Sequence, residues 1–162
     1  MDYLVCAVLT GAGATALMDL WTVARERLLG IPFGYGPVGR WLAHLVRGRF
    51  FHYPIAATPA VRGERLIGWT AHYLIGIAFA GVLLAICGLA WARQPTLGPA
   101  LALGIAAVAA PFLLMQPGMG AGIAASRTPR PNSARLQSLV THAVFGLGLY
   151  AAGLALKLLS GD

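Results

Sequence analysis

Residues 66–92 have the sequence LIGWTAHYLIGIAFAGVLLAICGLAWA, 27 residues without a Lys, Arg, Asp or Glu. A helix needs about 20 apolar residues to cross a bilayer, because each residue adds about 1.5 Å of length. The whole chain of 162 residues is 58% hydrophobic and 10% charged, whereas roughly a quarter of the residues in an ordinary soluble domain are charged. The sequence therefore predicts that this segment crosses a membrane, and it excludes a soluble globular domain.

Three further apolar segments are long enough to cross a bilayer, which gives four predicted spans. Their approximate bounds are 3–24, 66–92, 98–126 and 136–159. The only basic residue inside a span is Lys157, and the only acid is Asp19. No basic segment of the kind that opens a cleavable signal precedes the first span, so we expect that span to remain in the protein. We predict an all-α protein, a four-helix transmembrane bundle that forms a single domain over residues 1–162.

The basic residues are distributed unequally between the loops. Ten of the 12 Lys and Arg residues lie in the loops 25–65 and 127–135, and the other two are Arg93 and Lys157. Lys and Arg in short loops favour the cytoplasm, so both basic loops are predicted to be cytoplasmic. Both ends of the chain, which include Asp2 and Asp162, are then expected on the periplasmic side. The net charge of +7 thus reflects membrane orientation, and we expect no nucleic-acid partner.

The loop 25–65 contains the pattern of a further, shorter helix. Apolar residues recur at helical spacing over residues 38–46, while Arg40, His44 and Arg47 occupy the other face. We interpret this segment as an amphipathic helix on the inner leaflet, with Arg40, Arg47 and Arg49 near anionic lipid headgroups. The alternative is a solvated loop helix that packs on the bundle.

Each span contributes one polar side chain at a similar predicted depth. His72 and His142 each follow a boundary arginine by seven residues, and Asp19 precedes Arg25 by six, which corresponds to roughly 10 Å of depth. Gln116 in the third span lies at a comparable level. Small and polar residues accompany these side chains at helical spacing, and such residues face neighbouring helices in membranes. We therefore predict an intramembrane polar site formed by Asp19, His72, Gln116 and His142.

Proline and glycine interrupt the third span at the same depth. Pro111 and Pro117 each remove a backbone hydrogen bond, and Gly118 begins the sequence GMGAG. We predict a kink or break here that exposes backbone carbonyls beside the polar site. Irregular backbone at this depth is tolerated where it is buried in protein or lines a cavity.

Ionisable groups inside a membrane are unfavourable and usually mark a functional site. Several functions are compatible with the predicted polar site. Two imidazoles and a carboxylate suit a transition-metal ion, with Met119 as a further ligand, or a proton relay. A b-type haem with His72 and His142 as axial ligands is an alternative, and a pocket for a small molecule or lipid is another. In the structural interpretation, Asp19 pairs with a histidine or arginine and the cluster only fixes helix packing.

The sequence contains no signature of a soluble enzyme, since GKS/T, HExxH and GxSxG are all absent. We therefore assign no enzymatic activity. The rival function is an accessory or assembly subunit that packs on other membrane subunits, or on a second copy, through Gly-rich and Ala-rich faces. Cys6 and Cys87 are predicted near the outer ends of spans one and two, where they either pair or, as we expect, remain free thiols.

Four segments resemble a known family: GAGATALMDLW (11–21), GRWLAHLVRGRF (39–50), RGERLIGWTAHYLIGIAFA (62–80) and PFLLMQPGMGAGIAASRTPRPNSARLQSLVTHAVFGLGLY (111–150). Together they resemble the bacterial membrane family called domain of unknown function 2938, over about Val5 to Leu159. The resemblance implies a small inner-membrane protein of bacteria, and it implies no activity. The predicted site residues therefore rest on depth and helix face alone.

Overall fold

The computed structural model of the chain describes residues 2–30 and 34–160, and in these residues it contains helices and no strand. Asp162 and residues 31–33 of the first loop, which the sequence analysis used, lie outside the described residues. The α-helices are α1 (Tyr3–Leu29), α2 (Gly36–Leu45), α3 (Glu64–Cys87), α4 (Leu89–Arg93), α5 (Leu97–Ala106), α6 (Gln116–Gly118) and α7 (Pro131–Ser160). Short 3₁₀ turns at Ile55–Ala57 and Ile123–Ala125 and a π-helix at Pro111–Met115 complete the described elements.

Four helical segments are long and apolar enough to cross a membrane: Tyr3–Leu29, Glu64–Cys87, Leu97–Gly118 and Pro131–Ser160. Large apolar side chains along them are exposed on the protein surface, such as Leu4, Leu20 and Ile86. Because exposing so much apolar surface to water is unfavourable, this surface contacts lipid. The prediction of an all-α membrane protein with four spans and a short helix in the first loop is confirmed.

The second span ends earlier than its hydropathy indicates. Helix α3 stops at Cys87, where the sequence predicted a helix to Ala92, and residues 89–93 form the separate helix α4. Gly88 separates the two helices with φ of +72°, a left-handed conformation that glycine adopts without steric cost. The apolar composition continues through this turn, so hydropathy could not reveal it.

The third span is also shorter than predicted, and the predicted bound at Ser126 is wrong. It becomes a π-helix from Pro111 to Met115 and ends at Gly118. Residues 119–126 are turns in which Gly120 and Gly122 have φ of +92° and +74°. Ala124 and Ala125 also have positive φ, 47° and 59°, a costly conformation for a residue with a Cβ. Glycine and alanine thus extend the apolar sequence without extending the helix.

The chain divides into two compact units. The first, here called the bundle unit, comprises residues 1–31, 73–107 and 140–162. The backbones of its helices approach closely at glycines: a Cβ on Gly11 would overlap Ile77 of α3, and a Cβ on Gly104 would overlap Gly146 of α7. In lipid the hydrophobic effect does not drive helices together, so their association depends on the close van der Waals packing that such small residues allow. The core of the unit consists of Cys6, Ala7, Ala14, Ala80, Leu83, Leu84, Trp91, Ala92, Ala100, Phe145, Leu149 and Leu156.

The second unit, here called the loop unit, comprises residues 32–72 and 108–139. In it, α2 packs on the first turns of α3, since a Cβ on Gly39 would overlap the carbonyl oxygen of Glu64 and lie 2.7 Å from the nitrogen of Gly68. The predicted loop helix therefore packs on a span, and its place on the inner leaflet stays a prediction.

The segment that follows α2 covers the broken end of the third span. The amide of His52 donates to the carbonyl of Gly118 at 2.9 Å, and the amide of Ile55 donates to the carbonyl of Met119 at 3.0 Å. The indole of Trp41 donates to the carbonyl of Phe50 at 2.9 Å and so ties α2 to the same segment. The first loop therefore satisfies carbonyls that the end of the helix leaves open.

The two cysteines do not form a disulfide. Cys6 is buried and Cys87 is half-buried, and both are free thiols. Both belong to the bundle unit, where Cys6 is part of the core and Cys87 packs against it. They behave as small apolar side chains rather than as a redox pair.

Candidate functional site

The acid of the first span meets a phenol of the second span in the bundle unit. The Tyr73 hydroxyl on α3 donates a hydrogen bond to the Asp19 carboxylate on α1. Both side chains are half-buried. The two helices are held together nearby, because a Cβ on Gly76 would overlap the Thr15 hydroxyl and lie 3.4 Å from the carbonyl of Gly11. Tyr73 was missed by the sequence analysis, although it lies one turn before Gly76.

Two threonines that lie four residues before and three residues after Asp19 on α1 donate hydrogen bonds within their own helix. Thr15 Oγ1 donates to the carbonyl of Gly11 at 2.7 Å, and Thr22 Oγ1 donates to the carbonyl of Met18 at 2.8 Å. Both threonines are buried, and this local bonding satisfies their hydroxyls without a partner helix. The hydrogen bond from Tyr73 to Asp19 differs from these two bonds because it joins two helices.

The two histidines of the predicted polar site lie in different surroundings. His72, in the loop unit, stacks on Tyr35 with ring centroids 4.3 Å apart and has the Trp69 ring at 6.3 Å. His142, in the bundle unit, is half-buried, and its carbonyl oxygen would lie 2.8 Å from a Cβ placed on Gly104. Both side chains have interaction partners.

The structure does not support a metal centre built from three of the predicted ligands. Across residues 2–30 and 34–160, no three His, Cys, Asp or Glu side chains come together in a group that could hold a metal ion. Met119, the further predicted ligand, is half-buried and accepts a backbone hydrogen bond from Ile55. A centre with Asp19, His72 and His142 as joint ligands therefore gains no support.

Gln116 begins α6, directly after the π-helix. Its backbone carbonyl accepts a hydrogen bond from the amide of Ala121 at 2.8 Å, which closes the turn after the helix break. Its side-chain oxygen Oε1 is buried, and no hydrogen-bond partner for it is found among the described residues. Such orphaned polar atoms are rare in folded proteins and call for an explanation.

The loop unit also contains a pair of histidines that were not predicted to form a site. The rings of His44 and His52 have centroids 5.2 Å apart. His52 is 1% exposed, and its Nδ1 lies 3.1 Å from the hydroxyl of Thr58. Burial first, and then electrostatic repulsion from neighbouring basic side chains such as His52 and Arg49, lowers the pKa of His44 below its ordinary value.

Arg40 forms an ion pair inside the loop unit, although its position in the sequence predicted that it would lie beside lipid headgroups. Its guanidinium donates to both carboxylate oxygens of Glu64, at 2.8 and 2.9 Å, and to the carbonyl of Thr58 at 2.7 Å. The side chains of Arg40 and Glu64 are only 14% and 16% exposed. Arg47 and Arg49 are exposed, so these two remain candidates for contact with headgroups.

Comparison with known proteins identifies a family. The family model described as "Protein of unknown function (DUF2938)" matches residues 8–156. No curated protein and no solved structure matches the chain. Since the match includes most of each of the four spans together with the loops that connect them, the chain belongs to the DUF2938 family.

Proposed function

We propose that this membrane protein moves protons across the membrane, with Asp19 taking up and releasing the proton and Tyr73 as its hydrogen-bonding partner. The observation that supports this is the bond between the carboxylate of one span and the phenol of another. Asp19 lies six residues before Arg25, which places it about 9 Å inside the span boundary. Ionisable groups at such depth are expensive, and their usual use is in proton and ion pathways.

The pair suits a proton that comes and goes. A tyrosine hydroxyl is both a donor and an acceptor, whereas an ionised carboxylate only accepts. When Asp19 is ionised, Tyr73 donates to it; when Asp19 is protonated, the carboxylic acid can donate to the Tyr73 oxygen. The contact between the helices is therefore kept in both states, and the charge can change without breaking it.

The contacts in the structure give less support to the two alternatives, an accessory subunit and a haem-binding protein. The close glycines Gly11, Gly104 and Gly146 pack against helices of their own unit, so they do not provide the partner-binding face that an accessory subunit needs. The His72 ring stacks on Tyr35, and this contact explains the position of the ring without a haem.

Asp19→Asn is expected to abolish proton movement, because an amide cannot take up the proton. The measurement is acidification of vesicles that contain the purified protein and a pH-sensitive dye, driven by a potassium gradient with valinomycin. The wild type should exceed protein-free vesicles, and Asp19→Asn should equal them. Tyr73→Phe, which keeps the ring and removes the hydroxyl, should lower the rate at least about tenfold.

The control for this experiment is Asp2→Asn, which removes an exposed acid that precedes α1 and should leave the rate unchanged. Helicity and elution volume are compared first, to show that each variant is folded. The proposal is wrong if wild-type vesicles acidify no faster than empty ones, or if folded Asp19→Asn retains the wild-type rate.

We further propose that the membrane is the bacterial inner membrane and that both termini are periplasmic. The support is the distribution of basic residues, ten of which lie in the two predicted cytoplasmic loops. Alkaline phosphatase fused after Ser160 should be active, and green fluorescent protein at the same site should stay dark. Fusions truncated at Pro129, between the third and fourth spans, should give the opposite result. Active phosphatase at Pro129 with an inactive C-terminal fusion would reverse the orientation.

A further inference from the structure

Three buried polar side-chain atoms of the loop unit lack a hydrogen-bond partner among the described residues: Nε2 of His44, Nε2 of His52 and Oε1 of Gln116. A buried polar group left unsatisfied costs about 1–3 kcal/mol. Few such groups occur in a native protein, and an unseen ion or water is a usual explanation. Unsatisfied nitrogens on both rings of the His44–His52 pair therefore indicate a ligand at that pair.

His52 is fixed in place before any ligand arrives. Its amide is bonded to Gly118 at 2.9 Å, and its Nδ1 contacts the Thr58 hydroxyl at 3.1 Å. If Nδ1–H donates to Thr58, Nε2 keeps a free lone pair, as in most histidines that bind metals. The ring is almost completely buried, so water does not compete freely for that lone pair.

The separation of the two rings fits a shared ion. A metal–imidazole bond is about 2.0–2.1 Å long, and a ring centroid lies roughly 1 Å behind the bonded nitrogen, so two imidazoles on one tetrahedral ion have centroids roughly 5 Å apart. The centroids of His44 and His52 are 5.2 Å apart, and the rings are tilted by 58° rather than stacked. Two rings packed only against each other would more often be parallel and offset or edge to face.

We propose that His44 and His52 bind one transition-metal ion through their Nε2 atoms, at a site in the loop unit that does not involve Asp19. Imidazole nitrogens suit zinc, copper, iron and nickel, whereas calcium and magnesium require oxygen ligands. The histidine pair supplies two ligands, and water completes the coordination.

The charges around the pair do not prevent a cation from binding. Arg40, the arginine nearest in the helix, is neutralised by its ion pair with Glu64. Arg47 and Arg49 are exposed, so solvent and salt weaken the repulsion that the two arginines exert on a cation at His44. The absence of a carboxylate from the pair favours ions that form strong bonds to neutral nitrogen, such as Zn²⁺ or Cu⁺.

The test is metal binding by the full chain in detergent, purified with a tag other than polyhistidine and stripped with a chelator. Titrations with zinc chloride, and with Cu⁺ under reducing conditions, should show one ion per chain for at least one of the two metals. His44→Gln should weaken metal binding by more than about 100-fold. Even the loss of a residue that only hydrogen-bonds to a metal ligand typically lowers the affinity by about 10–100-fold.

The matched control is the double variant His72→Gln/His142→Gln, which removes the other two histidines and should bind the ion as the wild type does. Loss of binding in this control, wild-type affinity in His44→Gln, or no binding of either metal by the wild type would each overturn the proposal. If His44→Gln does not fold, Co²⁺-loaded wild type decides instead. Its paramagnetically shifted ring signals should come from two histidines, and signals assigned to His72 or His142 would refute the site.

Discussion

Replacing Gly104 with Ala is expected to lower the free energy of unfolding by about 3 kcal/mol, at the upper end of what overpacking costs. The added Cβ would overlap the Cα of Gly146 and lie 2.5 Å from its nitrogen and 2.8 Å from the carbonyl oxygen of His142. All three atoms belong to the backbone of α7, so no side-chain rotation can relieve the overlap. Helices α5 and α7 must separate, and the close packing on which helix association in lipid depends is lost.

The control for Gly104→Ala is Gly98→Ala in the same helix. None of the described atoms lies within 4 Å of a Cβ placed on Gly98, and Ala favours helix over Gly by up to about 1 kcal/mol. This variant should therefore be as stable as the wild type or slightly more stable. Unfolding in mixed micelles with increasing SDS, followed by circular dichroism, measures both. Equal stability of the two variants would show that α5 and α7 do not approach this closely.

Arg40→Ala is expected to lower the free energy of unfolding by about 1.5–3 kcal/mol, the usual contribution of hydrogen bonds to a charged group. The Glu64 carboxylate, only 16% exposed, would lose two charge-assisted hydrogen bonds, and the Thr58 carbonyl would lose its donor. Arg47→Ala removes an exposed arginine of the same loop, and its cost should stay within about 0.5 kcal/mol. The same unfolding assay gives both values.

A double-mutant cycle separates the ion pair from other roles of Arg40. Because Arg40→Ala leaves the partly buried Glu64 carboxylate without its cation, adding Glu64→Ala should restore part of the lost stability, and the two single losses should not add. Additive losses, or equal losses for Arg40→Ala and Arg47→Ala, would mean that Arg40 acts at the surface, as its position on the polar face of α2 suggested.

The spans could be predicted from the sequence because hydropathy accumulates over about 20 residues. Their ends could not, because they depend on the backbone of single residues. At Gly88 and after Gly118 the chain turns within an apolar stretch, through conformations with positive φ at Gly88, Gly120 and Gly122. Pro111 and Pro117 marked the region of the break, but not the π-helix or the point at which the helix ends.

Depth could be predicted for the polar residues, and their partners could not. Seven residues from a boundary arginine place His72 and the adjacent Tyr73 at nearly the same level, yet consecutive helical residues point about 100° apart. Only the packing of α1 on α3 determines that the Tyr73 hydroxyl reaches Asp19. The pairing of His44 with His52 was beyond sequence reasoning, because His52 lies in an irregular segment whose position depends on the distant residues Gly118 and Met119.

The four spans have unequal lengths, and this has a consequence for the lipids around the protein. The third span contains 22 residues and the first contains 27, which correspond to about 33 and 40 Å of helix. In a bilayer with a hydrocarbon layer of about 30 Å, the longer helices must tilt or protrude, whereas the third exceeds the layer by only about 3 Å. All four spans are thus at least as long as the hydrocarbon layer, and a thinner membrane would require more tilt, at a cost of fractions of a kcal/mol per Å of mismatch. Thicker membranes should therefore accommodate this protein with less deformation than thin ones.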